Sequence, residues 1–377
     1  MMDRAKAKRL AKNLIVLAAS LAFSLLAAEV ILRLATGLPE PRQIALDKWI
    51  GHKKRPGLSG VYTAEGGGHY TYNSYGFRDR EWSLKNDKYR AAVLGDSFTE
   101  ALQVDADRTF CKIVEQKLPT VETLNFGIGS YGTIHELLVY RHYARKLKPR
   151  LAVLAFFAGN DLTDNLQLTQ PRWRVPVWIE LNDDDLIFHR SKRQAVLMAV
   201  WPILDFGLSH SALVQALYNL RTRRIARQHN EAIAEAGLWD GAFGEPKTES
   251  AIRIWRLTEH LLLTLRDDVW ADRAKLLVMF IPQSTQDDAE QRASFLQKHP
   301  DLDPDYAEKR LTKFCEENGI LSLPLSQPML EYNKRTGEHL HGFPEGWGGH
   351  WNAAGQKLAG ELLAERIRPL VETETQK

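Results

Sequence analysis

Arg90-Ala-Ala-Val-Leu-Gly95-Asp96-Ser97 is a short apolar run stopped by glycine, the pattern of a strand buried on both faces. Helical spacing follows from Phe98 to Leu118. The alternation then repeats: a strand at Thr123–Phe126, a helix at Ile134–Leu147, and a third apolar run at Leu151–Ala158. After an interruption it resumes with a helix over Ile252–Leu265 and the run Lys275-Leu-Leu-Val-Met-Phe-Ile281, ended by Pro282. A helix over Pro304–Asn318, the short run Leu321–Pro324 and a last helix over Ala353–Leu370 complete the pattern. Strands that alternate with helices build a parallel sheet covered by helices. The interruption, about 170–250, is rich in Trp, Arg and charge, carries an amphipathic piece from Ser211 to Arg227, and reads as a mainly helical insertion or cap.

Upstream, Arg4, Lys6, Lys8, Arg9 and Lys12 precede a charge-free stretch from Leu14 to Ala28 that continues past Glu29 through Val30-Ile-Leu32 to Arg33. A helical span needs roughly 20 apolar residues, and basic residues stay on the cytoplasmic side. Residues 1–36 are therefore expected to be a cytoplasmic basic tip and a membrane anchor, with the bulk of the chain outside. A cleaved signal peptide, for which Ala27-Ala28 would serve, is the alternative. Residues 37–86, with Pro39, Pro41, Pro56 and Gly66-Gly67-Gly68, read as a linker leading into a domain at 87–377. The 377 residues carry a net charge of only +3, so no nucleic-acid surface is expected. Cys111 and Cys315 lack the spacing of a metal site or disulfide framework and read as buried thiols.

In parallel α/β sheets ligands bind beyond the carboxyl ends of the strands. Three segments fall there: Gly95-Asp96-Ser97, Asn125-Phe-Gly-Ile-Gly-Ser-Tyr-Gly-Thr133 and Gly159-Asn160-Asp161. A fourth, Gly349-His350-Trp351-Asn352, precedes the last helix. In this order and spacing the four resemble the motif blocks of the SGNH (GDSL) hydrolase superfamily of serine esterases, over roughly residues 90–165 and 270–370. Leu26–Leu34 and Asn73-Ser-Tyr-Gly-Phe-Arg78 look like the bacterial exported subgroup associated with polysaccharide modification.

The resemblance implies a three-layer α/β/α sandwich of the flavodoxin-like kind and a serine acyl-ester hydrolase or O-acetyltransferase, membrane-anchored and facing the periplasm or exterior. The implied substrate is an acylated carbohydrate, with neither metal nor organic cofactor. A serine hydroxyl needs a base to take its proton, and its attack on an ester creates an oxyanion that needs donors. Ser97 is the expected nucleophile and His350 the base. Oxyanion donors are the Ser97 amide, the amide of Ser130, which stands at the family's usual glycine position with Gly129 as the register alternative, and the Asn160 side chain. Asp96 and Asp161 are expected to bond loop amides, and His339 and His341 to be loop residues.

One element of that pattern is missing. The family places an aspartate two or three residues before the histidine, and here those positions hold Gly348 and Trp347. Glu345, a backbone carbonyl, a Ser-His dyad or a remote acid would each fill the role. The gap also motivates a rival of another class: a catalytically inactive glycan-binding or assembly protein on the same fold. Trp173, Trp178 and Trp201 fit either a sugar-stacking cap or the insertion's own core.

Overall fold

The computed structural model describes residues 4–37, 43–85, 87–166, 177–182, 185–344 and 349–375. They form two compact units. One comprises Met1–Gln43 with Val196–Asn230, the other Ile44–Ala195 with Glu231–Lys377.

In the first unit, α1 (Arg4–Thr36) is a single helix. Its stretch Lys8–Thr36 is long and apolar enough to cross a bilayer, and its most apolar window has no buried residue. Glu29, the one acid in that stretch, is not left bare: Arg33 Nε donates to it over 2.6 Å and Ser211 Oγ over 2.7 Å.

The second unit opens with two antiparallel hairpins, β1 (Ile44–Asp47) with β2 (Gly51–Lys54), and β3 (Ser59–Val61) with β4 (His69–Thr71). The segment read as a linker is therefore folded from Ile44 onward. Its glycines serve turns: Gly66 and Gly67 sit at φ +75° and +85° in the loop that joins β3 to β4.

The central sheet contains β5 (Tyr89–Gly95), β6 (Val121–Asn125), β7 (Leu151–Phe157), β10 (Lys275–Ile281) and β11 (Leu321–Pro324), with β8 and β9 forming a separate hairpin in the insertion. The order is β11-β10-β7-β5-β6 and every pairing is parallel. Numbered along the sheet's own strands this is 2-1-3-4-5, the flavodoxin-like order, whose switch point lies between the first and third strands. The strands read as near-continuous apolar runs because both faces are buried. Ala92, Leu94, Leu154, Val278 and Phe280 face one core with α4 (Thr133–His142), α9 (Glu249–Ala271) and α12 (Tyr306–Glu317). Ala91, Val93, Val153, Leu277 and Met279 face the other, with α3 (Phe110–Lys117) and α14 (Ala353–Thr375). The second unit is thus a three-layer α/β/α sandwich, as expected.

The predicted helix at 98–118 is two helices, α2 (Ser97–Glu100) and α3, because Ala101 turns left-handed at φ +52° and ends the first after one turn. The insertion is mostly helical, as α6 (Lys192–His210), α7 (Ala212–Glu235) and α8 (Leu238–Phe243), but it begins with the hairpin of β8 (Val177–Asn182) and β9 (Asp185–Arg190). Trp178 stacks on His189 across that hairpin at 4.0 Å, and Trp201 is buried, so both serve packing; Trp173 lies outside the described residues. Cys111 and Cys315 are free and buried.

Candidate active site

Ser97 sits at the carboxyl end of β5, where the chain turns abruptly into α2. Gly95 makes the turn possible: a Cβ there would lie 2.1 Å from Thr99 Oγ1. Asp96 caps the short helix, its Oδ1 accepting the Phe98 amide at 2.8 Å. Between Ala91 and Glu100 only Ser97 escapes full burial. Its hydroxyl meets His350 Nε2 at 2.8 Å.

The other imidazole nitrogen is held by a carboxylate. His350 Nδ1 donates to Glu65 Oε2 at 2.6 Å, and the His350 amide donates to Glu65 Oε1 at 3.1 Å. Since an ionised carboxylate only accepts, Nδ1 carries the proton and Nε2 is free to accept from Ser97. The orienting seat for which Glu345 was one candidate is held by Glu65, the remote-acid alternative; Glu345 itself lies outside the described residues.

Glu65 arrives on the tip of the β3–β4 hairpin. That tip is pressed onto the loop following α2: a Cβ on Gly66 would lie 2.2 Å from the Gln103 carbonyl, and one on Gly68 the same distance from the Val104 carbonyl. Arg78 staples the two together. Its buried guanidinium donates to the carbonyls of His69 and Val104 at 2.6 Å and of Glu100 at 3.0 Å, and to that of Ala101. Gly349 leaves room for the same carboxylate, because a Cβ there would meet Glu65 Oε1 at 2.7 Å.

The His350 loop is fixed from behind. His341 is buried, bonded through Nδ1 to the Gly349 carbonyl at 2.8 Å and through Nε2 to Asp287 at 2.9 Å, and Phe98 packs on the His350 ring at 5.0 Å. Burial lowers the His341 pKa, but Asp287 outweighs it and the net shift is upward. His341 is therefore a buried strut, which corrects its reading as a plain loop residue. His339 bonds Asp288 at 2.5 Å.

The second block packs against Ser97, Gly129 lying where a Cβ would be 3.7 Å from Ser97 Cβ. The Gly129 amide already donates to Glu100 Oε2 at 2.7 Å, which leaves Ser130 as the free amide of the pair. Ser130 adopts φ +67°, the left-handed conformation that a glycine would take without strain. Glu100, three residues past Ser97 and buried, also accepts Tyr72 Oη at 2.5 Å and pairs with Lys54 at 3.2 Å. It joins α2, the second block and the first hairpins at one carboxylate.

Asn160 follows β7, the strand across the switch point from the one that Ser97 follows. Its Nδ2 donates to Asp96 Oδ2 at 2.8 Å, leaving its second N–H for a ligand. Burial pushes the Asp96 carboxyl up to about 6 despite the bonds it accepts. Asp161 accepts the Phe157 amide at 2.7 Å and Thr133 Oγ1 at 3.0 Å, so both aspartates bond backbone amides, of α2 and the end of β7 rather than of loops. Among the described residues no cluster of His, Cys, Asp and Glu is arranged to hold a metal.

No protein-family model and no curated protein matches the chain. Solved structures of similar shape include an acetyl xylan esterase, AlAXEase, at 12% identity and TM-score 0.41, covering 74% of this chain and 99% of that one. A member of the lipolytic G-D-S-L family from Veillonella parvula aligns at 11% identity and TM-score 0.39, covering 73% and 96%. An acetylxylan esterase from Geobacillus stearothermophilus aligns at 9% and 0.39, covering 76% and 96%. At such identities and scores, what this chain does rests on its own side chains.

Proposed function

We propose that the chain is an SGNH-type serine acyl-ester hydrolase or O-acyltransferase working through an acyl-Ser97 intermediate. The observation that carries this is the unbroken relay Glu65 Oε2, His350, Ser97 Oγ, at 2.6 and 2.8 Å. Ser97 Oγ attacks the ester carbonyl while His350 Nε2 takes its proton, and Glu65 holds the tautomer and stabilises the imidazolium. The amides of Ser97 and Ser130 and the Asn160 side chain donate to the oxyanion. Collapse breaks the ester C–O bond, with His350 returning the proton to the leaving alkoxide. Water or a sugar hydroxyl, deprotonated by His350, then attacks the acyl-serine; the acyl–Oγ bond breaks and His350 returns the proton to Oγ.

The inactive-binder reading drew its force from the missing aspartate and from Ser130. Glu65 on Nδ1 and the left-handed backbone of Ser130 at φ +67° support the catalytic reading over it. The basic N-terminus, the span-length helix and the subgroup resemblance favour an anchored enzyme on the outer side of a bacterial inner membrane, with an O-acetylated carbohydrate as substrate. Purified full chain incubated with an acetylated glycan is expected to release acetate, or with an acetyl donor and a bare glycan to transfer it. Ser97→Ala abolishes either reaction. Product formation that persists in Ser97→Ala contradicts the assignment.

A further inference from the structure

Glu29 is the only acid between Leu10 and Thr36, and the reason for its presence lies in the insertion. Besides Arg33 and Ser211 Oγ, its carboxylate accepts the amides of Ala212 at 2.9 Å and Leu213 at 3.0 Å, the first turn of α7, while Arg33 also donates to the His210 carbonyl. Here α6 and α7 meet in a corner of 110°. The corner is thus fastened to α1 seven residues before its end at Thr36, about 10 Å along a helix rising 1.5 Å per residue. With α1 read as a span, the corner lies at the depth of one interface.

The arms of the corner are apolar on the outside. On α6, Val196, Val200, Ile203 and Phe206 recur along one face and are exposed, Ile203 by 79% and Phe206 by 67%, while the opposite face buries Leu197, Trp201 and Leu208. On α7, Leu217 and Leu220 are exposed by 58% and 63%. Large contiguous apolar patches mark an interaction surface. Beyond them α7 carries Arg221, Arg223, Arg224 and Arg227, with no acid anywhere from Ala212 to Asn230. Pro202 and Asp205 interrupt α6 and four arginines follow in α7, which suits a crossing poorly and an interface well.

We infer that the α6–α7 corner lies in the lipid interface on the exit side of α1, its apolar face among the upper acyl chains and its arginines against anionic headgroups. The occupant of the patch is the bilayer, continuous with the lipid around α1. A single span is a swivel, and this second contact stops that unit rotating about it. The inference rests on α1 as a span and not on the chemistry at Ser97.

Full-length protein in vesicles of phosphatidylcholine and phosphatidylglycerol tests it, with an environment-sensitive fluorophore on Ile203→Cys, Phe206→Cys or Leu217→Cys, and on Leu21→Cys and Lys313→Cys as lipid and water references. Cys111 and Cys315 are buried and do not compete for label. The corner labels are expected to emit blue-shifted, and to be quenched about twofold more by a nitroxide near the headgroup than by one at the chain end, as for a helix lying a few ångströms deep. Leu21 is expected to show the reverse preference. Corner labels that behave like Lys313 while Leu21 is buried in lipid overturn the inference, as does quenching deepest at the chain end, which means a crossing. Blue shifts that vanish as the protein-to-lipid ratio is lowered mean a second copy covers the patch, and overturn it too. Loss of quenching at Leu21 itself removes the span and the inference together, leaving the active-site assignment untouched.

Discussion

At the level of single residues the account turns on Glu65. Glu65→Gln keeps a side chain of the same size but no longer favours the Nδ1–H tautomer or the imidazolium. The expected loss in kcat is about a thousandfold to ten-thousandfold, with the melting temperature little changed. Steady-state kinetics beside a thermal melt checks this. Asn160→Ala removes one oxyanion donor and is expected to lower kcat about a hundredfold to a thousandfold, leaving KM nearly as it was. Asp96 adds a dependence on pH. Its folded carboxyl titrates at about 6 against an ordinary 3.8, so the native state holds a proton that the unfolded chain has released. Its contribution is fully present below the ordinary value and is lost as pH rises through about 6. Asp96→Asn is expected to flatten the change of melting temperature across that window. It also lowers activity, because one amide oxygen cannot serve both Phe98 and Asn160. A melting series from pH 4 to 7 in both proteins reads it.

Among elements, the decisive one is the β3–β4 hairpin, because it carries the acid to the base across 285 positions of sequence. Its aim depends on glycines with no room for a Cβ. Gly66→Ala is expected to shift the tip off the Gln103 carbonyl and to cost most of the activity that Glu65→Gln costs. Kinetics of the double variant would then fall little below either single one, since residues acting through one contact are not additive. This element also marks where reading the sequence stopped. The sheet strands were legible because burial on both faces forces an unbroken apolar run, as in Leu151–Phe157, and Ser97, Asn160 and His350 because each occupies a loop that the fold brings to one edge. The hairpin was not, because three-residue strands such as Ser59–Val61 bury too little to leave a pattern, and Gly66-Gly67-Gly68 reads alike as linker or tight turn. A carboxylate at Glu65, against glycines that need positive φ, was the one available signal. His341 escaped for a similar reason: nothing in His339-Leu-His341 announces that Asp287, 54 residues away, holds it in the core.

For the whole molecule, the proposed anchoring of the chain through α1, long and apolar enough to cross a bilayer, carries its own test. An impermeant thiol reagent added to intact cells is expected to label Lys313→Cys at once, and Lys6→Cys only after the inner membrane is opened. The reverse order would invert the topology. The most direct test of the central claim, that Ser97 is a nucleophile driven by His350 and Glu65, is covalent capture of the full chain by a fluorophosphonate, followed by intact mass and peptide mapping. The account predicts one adduct on Ser97, formed far more slowly in Glu65→Gln and absent in Ser97→Ala. A wild-type chain that takes no adduct, or a Ser97→Ala chain that takes one at the same rate, would contradict it.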